Sequence, residues 1–188
     1  MSTVYMETNY ELTSKNNKNI SQSNSLWRKW LTKWLIARLR TDSVERRSYI
    51  IQALGKVGDQ TAFPVILNAA HDKDSTIRRF AISALGDLKD PRAIEALIDA
   101  LNDPETDIRA SAVMSLGFLD DKKAEEQLIG LLEDSSDSVR SQAVIALGRL
   151  GSNLALPILE QMNDKEPNEW IRRYISEAIL EIKGGICS

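Results

Sequence analysis

The apolar positions of this chain recur at one fixed period. "ALGKVGD" begins at Ala53, "ALGDLKD" at Ala84, "SLGFLDD" at Ser115 and "ALGRLGS" at Ala146, which places Gly55, Gly86, Gly117 and Gly148 one period apart. Four copies at one spacing mark an array of structural repeats. Arg47, Arg78, Arg109 and Arg140 share a column. Counting from them, offset 3 holds Ile50, Ala81, Ala112 and Ala143, and offset 4 holds Ile51, Ile82, Val113 and Val144. Offset 7 holds Leu54, Leu85, Leu116 and Leu147, and offset 10 holds Val57, Leu88, Leu119 and Leu150. This spacing is one face of an α-helix. An earlier stripe, Ala62/Ala93/Ala124/Ala155 and Ile66/Leu97/Leu128/Leu159, belongs to a second helix. Each unit is therefore predicted to be two short helices, A then B, with small residues of "ALGxL" where neighbouring B helices approach closely.

The polar segments fit the turns between them. "HDKDST", "NDPETD" and "EDSSDS" precede the B helices, and Asp72, Asp103 and Asp134 recur at the same period. Asp and Ser are expected to cap the free N–H groups of helix B and to suit its positive dipole end. Pro91 and Pro104 fall at boundaries, where a missing N–H costs little. Stepping back one period from Ile66, Leu67 and Ala70 lands on Leu35, Ile36 and Leu39, so "SLWRKWLTKWLIARL" is the A helix of a first unit. At the other end, "WIRRYISEAILEI" is a fifth B helix displaced by one residue, with Arg172, Ile175, Ile179 and Ile182 in the expected columns and Leu180 in place of the glycine. The prediction is an all-α solenoid of about five helix pairs over 26–182, each stacked on its neighbours to bury its apolar face. Residues 1–25 are polar and rich in Asn, Ser and Lys. They bury too little apolar surface to offset ordering entropy and are read as a disordered tail, with 183–188 a flexible C-terminal tail.

Short paired helices, an aspartate in the inter-helix turn followed by "VR", then "ALGxLGD" and "DPRAIEALIDAL", resemble the HEAT-like repeats of the phycobilisome-lyase type. The resemblance covers about five-sixths of the chain and is specific for the fold rather than for one activity. It implies a protein-binding scaffold. Its most specific version is a subunit of a phycobilin lyase, which attaches bilins to phycobiliprotein cysteines, or a factor in phycobilisome turnover; its rival is a plain adaptor without pigment or catalysis. The partner implied is a phycobiliprotein or a second lyase subunit on the concave face. A bilin would be a transferred ligand and not a resident cofactor. The resemblance also assigns Arg78, Arg109, Arg140, Asp72, Asp103 and Asp134 to a buried structural ladder.

Charge and composition add limits. Net charge is only -3, which gives no overall reason to expect nucleic acid. No stretch is apolar enough over roughly 18 residues to span a bilayer, and no signal peptide is evident, so a cytoplasmic protein is expected. The single cysteine, Cys187, excludes a disulfide framework within the chain and reads as a mobile thiol. No Gly-rich phosphate loop, Ser/His/Asp set or Cys/His set is present, and the Cys–His motif of isomerising bilin lyases is missing. The single histidine, His71, occupies a turn position filled elsewhere by Asn102 and Glu133, so no metal or catalytic role is assigned to it. HEAT-like hydroxylases hold di-iron through His–Glu pairs, which this sequence lacks.

Two groups of residues stand out. Offsets 2, 5 and 9 lie roughly opposite the core stripe at about 100° per residue, where solvent favours polar groups. They hold Tyr49, Phe80 and Tyr174 at offset 2, Met114 and Ile145 at offset 5, and Phe118 at offset 9. Arg79, Arg149 and Arg173 flank them. Contact between repeats or a partner surface would account for this; an apolar patch, with Phe80, Met114, Phe118 and Ile145 in line on the concave face, favours the partner. The second group is Trp27, Trp30 and Trp34, set among Arg28, Lys29 and Lys33 with no acidic residue from 26 to 41. Here the preferred reading is that the tryptophans cover the open end of the stack, with partner docking and a membrane or nucleic-acid surface as alternatives.

Overall fold

The structure, a computed structural model, describes residues 25–40 and 43–184. Of the polar tail predicted over 1–25, only Ser25 is described, as the first residue of a helix; 1–24 and, of the C-terminal tail, 185–188 with Cys187 lie outside the described residues. Among those described, the chain is helical throughout, without strands. The A helices are α1 (25–38), α3 (Phe63–Ala69), α5 (Ile94–Ala100), α7 (Glu125–Gly130) and α9 (Leu156–Lys165). The B helices are α2 (Val44–Val57), α4 (Ser75–Leu88), α6 (Thr106–Leu119), α8 (Asp137–Arg149) and α10 (Glu169–Ile182).

The apolar columns form one continuous core. Leu54, Leu85, Leu116 and Leu147 are at most 1% exposed, and Ile66, Leu97, Leu128 and Leu159 are 0% exposed. Consecutive B helices pack along their length, whereas consecutive A helices touch little among the described residues. The B layer is thus the more closely spaced of the two, as expected of the inner layer of a solenoid.

The glycines set the spacing of the inner layer. A Cβ placed at Gly55 would come within 2.7 Å of the Ala84 Cα, at Gly86 within 2.5 Å of the Ser115 Oγ, and at Gly148 within 2.9 Å of the Ala178 Cβ. At Gly117 the nearest atom is the Ala146 Cβ at 3.4 Å. The glycine of each unit therefore faces the small residue of the next. Gly55→Ala is expected to lower stability by about 1–3 kcal/mol, because the Ala84 backbone cannot step aside. Gly117→Ala is expected to be neutral or stabilising by up to about 1 kcal/mol, the helix-propensity gain over glycine. Urea melts of the two variants check this; equal losses would mean that helix approach does not dictate these glycines. Leu180 fills the glycine column in α10, against which no further described helix packs, and is 51% exposed.

The turns differ in detail from the expectation. The A segments of the second, third and fourth units open with a 3-10 turn (Gln60–Ala62, Pro91–Ala93, Lys122–Ala124) capped by Asp59, Asp90 and Asp121, and become α-helical only after the alanine column. The B helices are capped by Ser43, Asp74 and Asn168 side chains, while Glu105 and Ser136 occupy the cap position without a side-chain hydrogen bond. Asp72, Asp103 and Asp134 sit two residues before the cap, where each carboxylate accepts the backbone N–H of the cap residue, Asp74, Glu105 or Ser136. That leaves their remaining lone pairs for arginine.

The arginines use them in a ladder. Arg78 donates through Nε and Nη2 to Asp103 at 2.8 and 3.1 Å, and Arg109 reaches Asp134 in the same way at 2.9 and 3.0 Å. Arg47 lies 3.7 Å from Asp72, and Arg140 3.6 Å from Glu166. The Nη1 groups of Arg78, Arg109 and Arg140 also donate to the Asp72, Asp103 and Asp134 carbonyls of their own units. Each arginine thus ties its own turn to the next one. At Asp134 the hydrogen bonds from Arg109, against the opposing effect of burial, hold the carboxyl below its ordinary pKa. At Asp103 burial pulls upward, but the bonds from Arg78 and the Glu105 N–H outweigh it and the net shift is downward.

The first helix covers the end of the stack, but not with its tryptophans. Thr32 is 0% and Leu35 8% exposed, and Leu31, Ile36 and Leu39 pack on the core beside them. Trp27, Trp30 and Trp34 are 60%, 61% and 42% exposed. At about 100° per residue the stripe 27–30–34 is turned well away from 32–35–39, so the aliphatic stripe takes the core and leaves the indoles outside.

Candidate functional site

The inner face is built from B-helix residues that the core stripe turns outward. Tyr49 on α2 meets Phe80 on α4 with ring centroids 6.2 Å apart and planes at 57°. The Arg79 guanidinium lies 4.6 Å from the Phe80 centroid, and that of Arg149 on α8 lies 5.9 Å from Phe118 on α6. Both distances are within cation–π range. Phe118 is 52% exposed and Met114 41%, whereas Phe80 and Tyr174 lean partly on the core and Ile145 is half-buried. Arg173 is exposed and paired with Glu177, one turn on, at 3.0 Å.

These residues do not merge into one uninterrupted apolar patch. A shallow groove of about 220 Å³ between α4, α6 and α8 is lined by Arg79 and Met114 together with Asp107, Ser111, Ser138 and Gln142. The polar lining comes from offsets -2 and 2 of α6 and α8, columns that share the inner face with the offsets holding Met114 and Ile145. The face therefore alternates: an aromatic pair under Arg79, a polar groove, then Phe118 under Arg149. Such a surface offers guanidinium donors beside flat apolar rings, suited to carboxylates carried on an apolar body. Trp170, 70% exposed on α10, occupies offset -2 and so shares this face. Sequence reasoning misses it because its column holds Thr76, Asp107 and Ser138 elsewhere; an indole in a polar column was the available signal.

Other chemistry is sparse. Among the described residues no group of three or more His, Cys, Asp or Glu side chains could hold a metal ion. His71 is exposed in its turn, beside a groove lined by Asp72, Arg78 and Asp103, whose charged groups are already taken up by the ladder, Arg78 by Asp103 and Asp72 by Arg47. No helix among the described residues is long and apolar enough to cross a membrane.

A family model described as HEAT repeats matches residues 32–110 and 94–179. The chain belongs to the HEAT-repeat family. Among solved structures, these HEAT repeats are similar to the complex of CpcE and CpcF of phycocyanin lyase from Nostoc sp. PCC7120, with 25% identity and a TM-score of 0.73 over 81% of this chain and 65% of that one. The chain thus spans slightly under two thirds of the length of that lyase chain. A designed armadillo repeat protein in complex with the peptide (KR)4 is similar at 18% identity and a TM-score of 0.64, covering 79% of this chain and 80% of that one. An engineered protein is similar at 17% identity and a TM-score of 0.61, covering 82% and 80%. These two share the solenoid architecture. A search of the curated proteins returns no match.

Proposed function

We propose that this HEAT-repeat chain is a protein-binding scaffold that works through its inner B-helix face, and that its client is a phycobiliprotein, handled as by a phycobilin-lyase subunit or a phycobilisome turnover factor. The observation that carries the reading is the similarity to the CpcE and CpcF complex, at 25% identity over 81% of the chain. The Arg79–Phe80 and Arg149–Phe118 pairs support it, since each sets a cation over a ring on the surface a client would meet. In this reading Phe118 and Met114 contact the client's apolar surface, and Arg79, Arg149 and Arg173 face acidic side chains or the propionates of a bilin. The acceptor cysteine belongs to the client.

One observation favours a second reading, an adaptor that never holds pigment. The groove between α4, α6 and α8 is open and has a volume of only about 220 Å³. Sites that enclose a drug-sized ligand start at roughly 300 Å³ and bury most of the ligand's surface. A bilin on this face would need the client or a second subunit to cover it.

Phe118→Ser and Met114→Ser separate these possibilities. Both side chains are exposed, so the melting temperature is expected to change little. Calorimetric binding to isolated phycocyanin subunits is expected to weaken by about 2 kcal/mol where the residue is an interface anchor. Unchanged affinity in both variants would remove the inner face as the working surface. Mixing the protein with phycocyanobilin adds the pigment test: an absorption shift that Arg149→Glu abolishes supports the lyase-type reading, and client binding without any shift supports the adaptor.

A further inference from the structure

The outward face of α1 has no role in the inner-face reading, and its chemistry is different. Leu26, Trp27 and Trp30 are 70%, 60% and 61% exposed, and Trp34 is 42% exposed with the Arg38 guanidinium 4.3 Å from its ring centroid. Arg28, Lys33, Arg38 and Arg40 make no ion pair among the described residues, and no acidic side chain occurs from 26 to 41. The remainder of the chain from 48 onward is net acidic, so the positive charge is concentrated at this one end. The helix is held in place by its other face, through Thr32 and Leu35, so the indoles are displayed on a rigid element.

We propose that this face docks the protein on the surface of an anionic lipid bilayer. With large aromatic side chains offering up to about 250 Å² each, Trp27, Trp30, Trp34 and Leu26 expose roughly 500 Å² of apolar surface on α1. Each partner in a stable protein complex buries roughly 800 Å², more than this face supplies. A bilayer demands no shape match. Indoles settle at the headgroup level, and each nearby Lys or Arg adds attraction to an anionic leaflet. Arg38 stands over Trp34, Lys33 borders the indole stripe and Arg40 follows the end of the helix, so exposed indoles and cations meet both requirements on the outward side of α1. The helix lies along the membrane plane and does not cross it.

The test uses the full chain carrying Trp170→Phe, which removes the one tryptophan outside α1. Phosphatidylcholine vesicles with about 30 mol% phosphatidylglycerol are expected to co-sediment the protein, and pure phosphatidylcholine vesicles to do so at least tenfold more weakly. Trp27→Ala with Trp30→Ala, and separately Lys33→Glu with Arg40→Glu, are each expected to lower the apparent partition coefficient at least tenfold with circular dichroism unchanged. Brominated lipid is expected to quench the indole fluorescence of the parent protein, a measurement that stands even where a variant misfolds. No partition into anionic vesicles, equal partition into neutral ones, or binding without quenching would overturn the proposal. Capture of an acidic protein by α1 in the absence of any vesicle binding would assign the face to a protein instead.

Discussion

Leu116→Ala should lower the free energy of unfolding by about 2–5 kcal/mol, the range for truncating a fully buried leucine with only partial collapse of the cavity. Leu116 is 1% exposed in the last turn of α6, the central B helix, between the Leu85 and Leu147 that fill the same column in the flanking units. Because each unit is stabilised by its neighbours, a cavity here weakens packing on both sides and not only within its own pair. Chemical denaturation followed by circular dichroism measures the loss. A cost under about 1 kcal/mol, typical of surface changes, would place offset 7 outside the core.

The ladder carries the second large effect. Asp134→Ala leaves the Arg109 guanidinium, whose side chain is 14% exposed, without its bidentate partner and removes the acceptor of the Ser136 N–H. Breaking a buried pair from one side costs more than the pair contributes, and about 3 kcal/mol is expected at neutral pH. The double variant Arg109→Met, Asp134→Ala should be less unstable than the two single losses added together, because no charge is stranded. The pH dependence has a definite sign. The folded-state pKa values of Asp103 and Asp134 are depressed. Their stabilisation is therefore present above the unfolded carboxylate value near about 4 and is lost as pH falls through the lower folded values. Wild type should lose stability below about pH 4, and Asp134→Asn, which keeps an oxygen for the Ser136 N–H, should show a flatter acid limb. Parallel acid limbs would mean that this rung does not contribute through its charge.

The solenoid itself was legible because burial imposes one requirement on every copy. A column such as Leu54, Leu85, Leu116 and Leu147 repeats only when the same side of the same helix meets the same neighbour each time. The glycines were legible for a related reason: only the absence of a Cβ lets Gly55 approach Ala84. What depends on local competition was harder to read. The true B caps lie two residues after Asp72, Asp103 and Asp134, since those carboxylates are shared between a turn N–H and an arginine from the preceding unit. The fourth rung uses Glu166, which the extra residue in the fifth unit moves out of the aspartate column. For α1, hydrophobicity pointed the indoles inward, while geometry turned the aliphatic stripe to the core. Sites for partners are less legible still, because an inner-face residue such as Phe118 answers to a molecule outside the chain.

The ladder also bears on how such a chain can change its length over evolution. Arg78 meets an aspartate 25 positions ahead, and Arg109 does the same. If recombination within the gene removed one whole unit, Arg78 would find Asp134 where it now finds Asp103, and Gly86 would find Ala146 where it now finds Ser115. The new joint would be made of side chains already suited to it. Duplication of a unit works in the same way, so the number of inner repeats can drift without any interface having to be invented. The fifth unit does not share this freedom: its extra residue and its Glu166 make its joint unlike the others, and copy-number variation is confined to the units before it.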